Sequence, residues 1–175
     1  MEQYLYGIDL GGTSIKFGFF SINGDLIEKF SIKTDTSHNG KNIINDIARA
    51  IENHKSEKKI SNDNIKGIGI GVPGPVSKGI VNGCVNLGWG KVDVKALLEQ
   101  ATNIRVTVSN DANIAGLGEL WKGSGSGYYN LVFITLGTGV GGAIIVENKI
   151  INGHNGSAGE IGHAPTLDRS FKCNC

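Results

Sequence analysis

Apolar residues along this chain switch between two periods, and the switches mark its elements. Tyr4 to Leu10 is an apolar run, with Asp9 near its end, that breaks at Gly11-Gly12-Thr13. Ile15, Phe17 and Phe19 then alternate, so Ser14 to Phe20 reads as a second strand. Asn23-Gly24 is a hairpin turn, and Leu26 to Ile32 makes a third strand. After Asn39-Gly40, Ile43, Ile44, Ile47, Ala48 and Ile51 fall at helical spacing, with Asn45, Asp46, Arg49 and Glu52 opposite them. That helix is expected to run to about His54, followed by a polar connection from Lys55 to Asn64. Ile65 to Val72 is a strand in which glycine alternates with Ile and Val, which leaves one face open to close packing. Pro73-Gly74-Pro75 stops it, and Val76 to Gly90 reads as irregular. A short helix (Val92 to Ala101), a strand (Arg105 to Val108) and a helix (Ile114 to Trp121) follow. Gly123-Ser124-Gly125-Ser126-Gly127 reads as a flexible linker.

The pattern then restarts. Ile134-Thr135-Leu136-Gly137-Thr138-Gly139 follows Ile8-Asp9-Leu10-Gly11-Gly12-Thr13 by 126 residues. It too succeeds an apolar run, Leu131 to Ile134. A strand comes next, Ala143 to Val146, with a turn at Glu147-Asn148-Lys149. Two glycine-tipped hairpins, one per half, suggest a duplicated fold that grips one polyphosphate from two sides. The order of strands and helices is an α/β pattern with a mixed sheet, and the opening antiparallel hairpin distinguishes it from a simple βαβ nucleotide fold. The expected domains are 1–121 and 122–175.

Bulk properties narrow the field. The chain is 39% hydrophobic and 19% charged, a soluble globular composition, and its 27 glycines cluster in turns. A net charge of +1, with no basic block longer than Lys58-Lys59, argues against a nucleic-acid surface. No apolar run approaches the ~18 residues of a membrane helix. No secretory leader is evident and only three cysteines are present, so a disulfide framework is not expected and the cytoplasm is the expected compartment.

Candidate chemistry sits at the glycine turns and strand ends. A Gly-Gly-Thr turn lets backbone N–H groups approach a phosphate with no Cβ in the way, and Thr13 adds a hydroxyl. Asp9 could hold Mg2+, although an ordinary hairpin with a surface carboxylate has the same sequence. Asn86 with Trp89 can hydrogen-bond and stack on a sugar, or Trp89 can simply anchor a loop. Asp111, between a strand and a helix, is either an N-cap or a base for a substrate hydroxyl. Gly137-Thr138-Gly139-Val140-Gly141-Gly142 also matches a dinucleotide fingerprint, but a β-branched strand follows where that motif needs a helix, so the match is rejected. His163, Cys173 and Cys175 offer three soft metal ligands, one short of a closed tetrahedral zinc site, or a structural His beside two incidental thiols. Cys84 reads as a small buried hydrophobe.

In sequence order, Asp9-Leu10-Gly11-Gly12-Thr13, Val72-Pro73-Gly74-Pro75-Val76, Asn86-Leu87-Gly88-Trp89, Asn110-Asp111-Ala112-Asn113, Leu136 to Gly142, Gly159-Glu160-Ile161-Gly162-His163 and Cys173-Asn174-Cys175 form a set. The set resembles the ROK family of sugar kinases, and within it the glucokinase-like members. The resemblance implies an actin-like, ribonuclease-H-like α/β ATPase fold, here its first domain and the start of the duplicated second, with ATP and a hexose in the cleft. It implies ATP-dependent phosphorylation of a hexose, glucose to glucose 6-phosphate, or a related N-acetylmannosamine, fructose or β-glucoside kinase, or an inactive fragment or sugar-binding regulator. By the same likeness Asp9, Gly11, Gly12 and Thr13 would meet the phosphates and Mg2+, and Gly137, Thr138 and Gly139 would form the second phosphate loop. Asn110, Glu160 and His163 would hold sugar hydroxyls, with Gly74 and Asn86 lining the pocket. Asp111 would be the base. His163, Cys173 and Cys175 would bind a structural Zn2+. Family members run on past residue 175, and homodimers are common among them.

Overall fold

The computed structural model describes residues 2–137, 139–154 and 156–164. The chain divides into two compact units, Met1–Asp111 and Ala112–Cys175. In the first, β1 (Tyr4–Leu10), β2 (Ser14–Ser21) and β3 (Leu26–Lys33) form an antiparallel meander. β4 (Ile65–Val72) pairs parallel with β1, and β8 (Val106–Asn110) pairs parallel with β4, so the sheet order is β3-β2-β1-β4-β8. The mixed sheet that the polarity pattern implied is therefore present.

Alternation fixes the register. Tyr6, Ile8 and Leu10 lie opposite Phe19, Phe17 and Ile15, and all six are buried. A one-residue slip would turn this whole set to the other face. Helix α1 (Ile43–Lys58) adds Ile43, Ile47 and Ile51 to the same core. It runs four residues beyond the expected end. His54 and Lys55 read as polar connection, yet both are buried, and the Tyr6 hydroxyl meets His54 Nδ1 at 2.8 Å. Tertiary contact overrides local polarity here. Lys59, in the left-handed region, closes the helix by donating to the Lys55 and Ser56 carbonyls.

The segment expected to be irregular is a second small sheet. β5 (Val76–Ser77), β6 (Ile80–Cys84) and β7 (Trp89–Asp93) pair antiparallel in that order. Short strands with glycine and asparagine in them carry too little alternation to be recognised. Helix α2 (Val94–Thr102) follows, its first turn capped by the Asp93 carboxylate accepting from the Ala96 N–H at 2.9 Å. The expected close-packing face of β4 is not uniform, since a Cβ added at Gly69 would meet nothing within 4 Å.

Helix α3 (Asp111–Lys122) starts where the first unit ends. In the second unit β9 (Leu131–Leu136), β10 (Val140–Val146) and β11 (Lys149–Ile150) form an antiparallel sheet. Gly116 brings α3 close to it, because an added Cβ there would stand 2.8 Å from the Ala143 Cβ. Gly123 to Gly127 is not an open linker. The Gly123 and Gly125 N–H groups both donate to the Glu119 carbonyl at 3.0 Å, so the glycines form the hydrogen-bonded end of α3.

Candidate active site

The first glycine turn is tied down by its own strands. Gly11 N–H donates to the Ser14 carbonyl at 3.1 Å. Thr34, just after β3, donates its hydroxyl to the Gly11 carbonyl at 2.7 Å and its N–H to the Thr13 carbonyl at 3.0 Å. Sequence reasoning missed Thr34. The signal lay in the register, since Ser14 opposite Lys33 places Thr13 opposite Thr34. A Cβ at Gly12 would lie 3.5 Å from the Asn86 carbonyl oxygen and 3.6 Å from its Cβ, so the tip of this hairpin borders the Asn86 turn. Asp9 faces its cross-strand partner Lys16, whose ammonium is 3.2 Å from the carboxylate, and both side chains are more than half exposed. Lys16 was also missed.

Three parallel strands end side by side. Asp9 is level with Gly71, Gly71 with Ser109, and Val72 with Asn110. Carboxyl ends of parallel strands in α/β sheets are where ligands bind. Here they carry Asp9, the Pro73-Gly74 turn and Asn110-Asp111. Asn110 is buried, and its amide donates to the Gly74 carbonyl at 3.2 Å. Gly74 has φ +96°, and a Cβ on it would stand 2.6 Å from the Gly83 carbonyl oxygen, so no other residue fits. Asp111 opens α3, where the helix dipole favours a negative charge. Cys84 connects these parts. Burial pushes its thiol up, backbone N–H groups of Leu87 and Asn86 directed at the sulfur pull it down, and the Asp111 charge pushes it up further. The expectation of a buried small side chain at Cys84 holds.

In the second unit the β9–β10 hairpin is closed by Gly137 N–H donating to the Gly139 carbonyl at 2.9 Å. Thr138 lies outside the described residues. Glu160 and His163 flank a short turn, Ile161–His163, with His163 Nε2 3.8 Å from Glu160 Oε2. A Cβ at Gly142 would stand 2.7 Å from Ile161 side-chain atoms, so this turn rests against β10. Cys173 and Cys175 lie outside the described residues. Among the described residues no group of three or more His, Cys, Asp or Glu could hold a metal ion. No described helix is long and apolar enough to cross a membrane.

The strand order, the glycine hairpin and the strand-end cluster define an α/β fold of the actin-like ATPase class. The ROK family model matches residues 5–175, and the chain belongs to the ROK family. A glucokinase of Halalkalibacterium halodurans is 42% identical over 99% of this chain and 54% of its own length. The crystal structure of a ROK family glucokinase from Streptomyces griseus, in complex with glucose and AMPPNP, superposes with a TM-score of 0.80 at 33% identity, covering 91% of this chain and 50% of that one. A xylose repressor of Caldicellulosiruptor bescii is 31% identical over 98% of this chain and 43% of its own. The chain spans about half the length of the curated relatives it matches.

Proposed function

We propose that this chain carries the acceptor-sugar and first phosphate machinery of an ATP-dependent hexose kinase, with glucose as the acceptor and its 6-hydroxyl as the nucleophile. The observation that supports this most is the strand-end cluster of the first unit. A rigid glycine turn beside Asp9, the Asn110–Gly74 pair and Asp111 all sit at adjacent strand ends. The likeness to glucokinases agrees with it.

Phosphoryl transfer is mostly positioning and charge stabilisation. The Asp111 carboxylate takes the proton of the attacking hydroxyl as the new O–P bond forms at the γ-phosphorus and the bond to ADP breaks. Asn110 and Asn86 hold other hydroxyls of the ring, and the Gly74 turn shapes the floor. Gly12 and Thr13 offer N–H groups and Thr13 a hydroxyl to phosphate oxygens, while Gly11, whose own N–H is held by the Ser14 carbonyl, fixes the turn that presents them. Asp9 suits Mg2+, which is commonly held by one or two carboxylates together with substrate phosphates and would neutralise phosphate charge there. Lys16 balances the Asp9 charge when no cation is bound. Gly137, Thr138 and Gly139 serve as the second phosphate loop, and Glu160 and His163 as further sugar contacts. His163, Cys173 and Cys175 have the donor chemistry of zinc, which would lock the imidazole in one tautomer.

A panel of hexoses with ATP, read by ADP release, tests the proposal. Glucose should be turned over fastest, with N-acetylmannosamine, fructose and β-glucosides behind. The xylose repressor's similarity supports a second reading, a sugar-responsive regulator. Sugar binding with no ADP release from any hexose would favour it.

A further inference from the structure

The turn after β3 adopts a conformation that L-residues avoid. His38 has φ 52° and ψ 40°, Asn39 φ 59° and ψ 38°, and Gly40 φ 63°. Three successive left-handed residues, two of them with side chains, persist only where the surroundings over-determine them. The surroundings here are the turn that carries Asn86. The buried Trp89 indole N–H donates to the Gly40 carbonyl at 3.2 Å. A Cβ on Gly40 would stand 2.6 Å from the Leu87 carbonyl oxygen and 2.8 Å from Trp89 Nε1. From the other side, Gly88 has φ +70°, and a Cβ on it would stand 2.9 Å from the Asn39 Cα. The two turns therefore meet backbone to backbone. Beneath the same turn, the Cys84 sulfur faces the N–H groups of Asn86 and Leu87, and Leu87 is fully buried. Asn86, between buried Cys84 and Leu87, is exposed, and it borders Gly12.

We infer that the left-handed turn His38–Gly40 and Trp89 form a clasp that positions Asn86 for the acceptor sugar. The inference rests on the reading of Asn86 as a sugar-side residue given above. Gly40 and Trp89 are positioning residues, because they act through the Asn86 turn. A loop amide free to rotate would contribute little to orienting a hydroxyl, whereas strain, two glycine contacts and an indole hydrogen bond hold this one in a single geometry.

Three variants test it: Trp89→Phe, which keeps an aromatic ring and removes the donor, Gly40→Ala, and Asn86→Ala as the reference. Each is read by kcat and KM for glucose, KM for ATP, and hydrogen exchange at the Asn86 and Leu87 amides. The clasp predicts that Trp89→Phe raises the glucose KM about tenfold, leaves the ATP KM unchanged, and speeds exchange at those two amides. Gly40→Ala should act in the same direction and more strongly, and if it fails to fold, Trp89→Phe decides alone. Unchanged exchange and unchanged glucose KM in Trp89→Phe would overturn the clasp. Faster exchange with a normal glucose KM in both Trp89→Phe and Asn86→Ala would instead overturn the assignment of Asn86 to the sugar. A wild-type chain that binds glucose but phosphorylates no hexose would overturn the kinase reading alone, and the clasp would then stand or fall on amide exchange and glucose affinity in Trp89→Phe.

Discussion

The two units treat the same kind of residue differently. In the first, Ile8, Ile15, Ile47, Ile51 and Ile70 are buried in one continuous core. In the second, Val132, Ile134 and Leu136 follow one another at alternate positions of β9 and are 63%, 57% and 80% exposed. Yet Leu131-Val132-Phe133-Ile134 is a run suited to a strand covered on both faces. No described residue covers that outer face, while the curated relatives it matches are about twice as long as this chain. The contrast teaches that a polarity pattern records where a strand is meant to lie, and that burial depends on which partners are at hand. The strand-end cluster of Asp9, Gly74, Asn110 and Asp111 belongs to the unit whose core is closed.

The largest effect that sharpens this contrast is a pair of matched truncations. Ile47→Ala should destabilise the first unit by about 2–5 kcal/mol, the usual cost of emptying a packed core. Ile134→Ala should change stability by less than about 0.5 kcal/mol, as surface substitutions do. Chemical denaturation followed separately for each unit checks both, and equal losses would erase the distinction. Next in size is Gly12→Val. Its Cβ would make ordinary contact with Asn86 while its γ-methyls crowd the tip of the turn, so ATP affinity should fall about tenfold. A nucleotide titration against the wild type measures this.

A smaller effect depends on pH. The Tyr6 hydroxyl titrates well above its usual 10.0 because burial, then the Glu52 and Glu28 charges, disfavour the phenolate. The unfolded chain releases this proton first, so as pH rises past about 10 the unfolded state binds fewer protons and stability falls. Tyr6→Phe should cost about 1 kcal/mol at neutral pH through the lost hydrogen bond to His54 and should flatten that alkaline limb. Melting curves from neutral to strongly alkaline pH would show it, and an equally steep limb in the variant would reject the assignment. Smallest is Lys16→Ala, which removes an exposed ion pair and should alter stability by no more than about 0.5 kcal/mol. It tests whether the site end of the sheet is stabilised by its core or by its charges.

Much of the first unit was legible because its elements are long and strictly periodic. β4 matches its expected bounds, and the hairpin strands differ from theirs by one residue. The small β5–β6–β7 sheet was not legible. Its strands are two to five residues long, too short for an alternation of apolar and polar positions to show, although they pair as local hairpins. The end of α1 was misread because His54 is buried by partners on β1 and β2 that local sequence does not reveal. At the site, Asp9, Gly74, Asn86, Asn110 and Asp111 could be named from motifs. Thr34, Lys16 and the Gly40–Trp89 contact could not, since they act through register and through a left-handed turn with no motif of its own. The apolar face of β9 shows the converse, a pattern readable in the sequence whose cover is absent among the described residues.

In the proposed reaction Asp111 takes the proton from a sugar hydroxyl at these strand ends. Parallel measurement of glucose binding by calorimetry and of ATP-dependent turnover, in wild type and Asp111→Asn, tests it most directly. Glucose affinity should stay within about threefold of wild type and turnover should fall by two to four orders of magnitude, the usual contribution of a positioned base. Turnover within tenfold of wild type, or loss of glucose binding with the variant still folded, would contradict it.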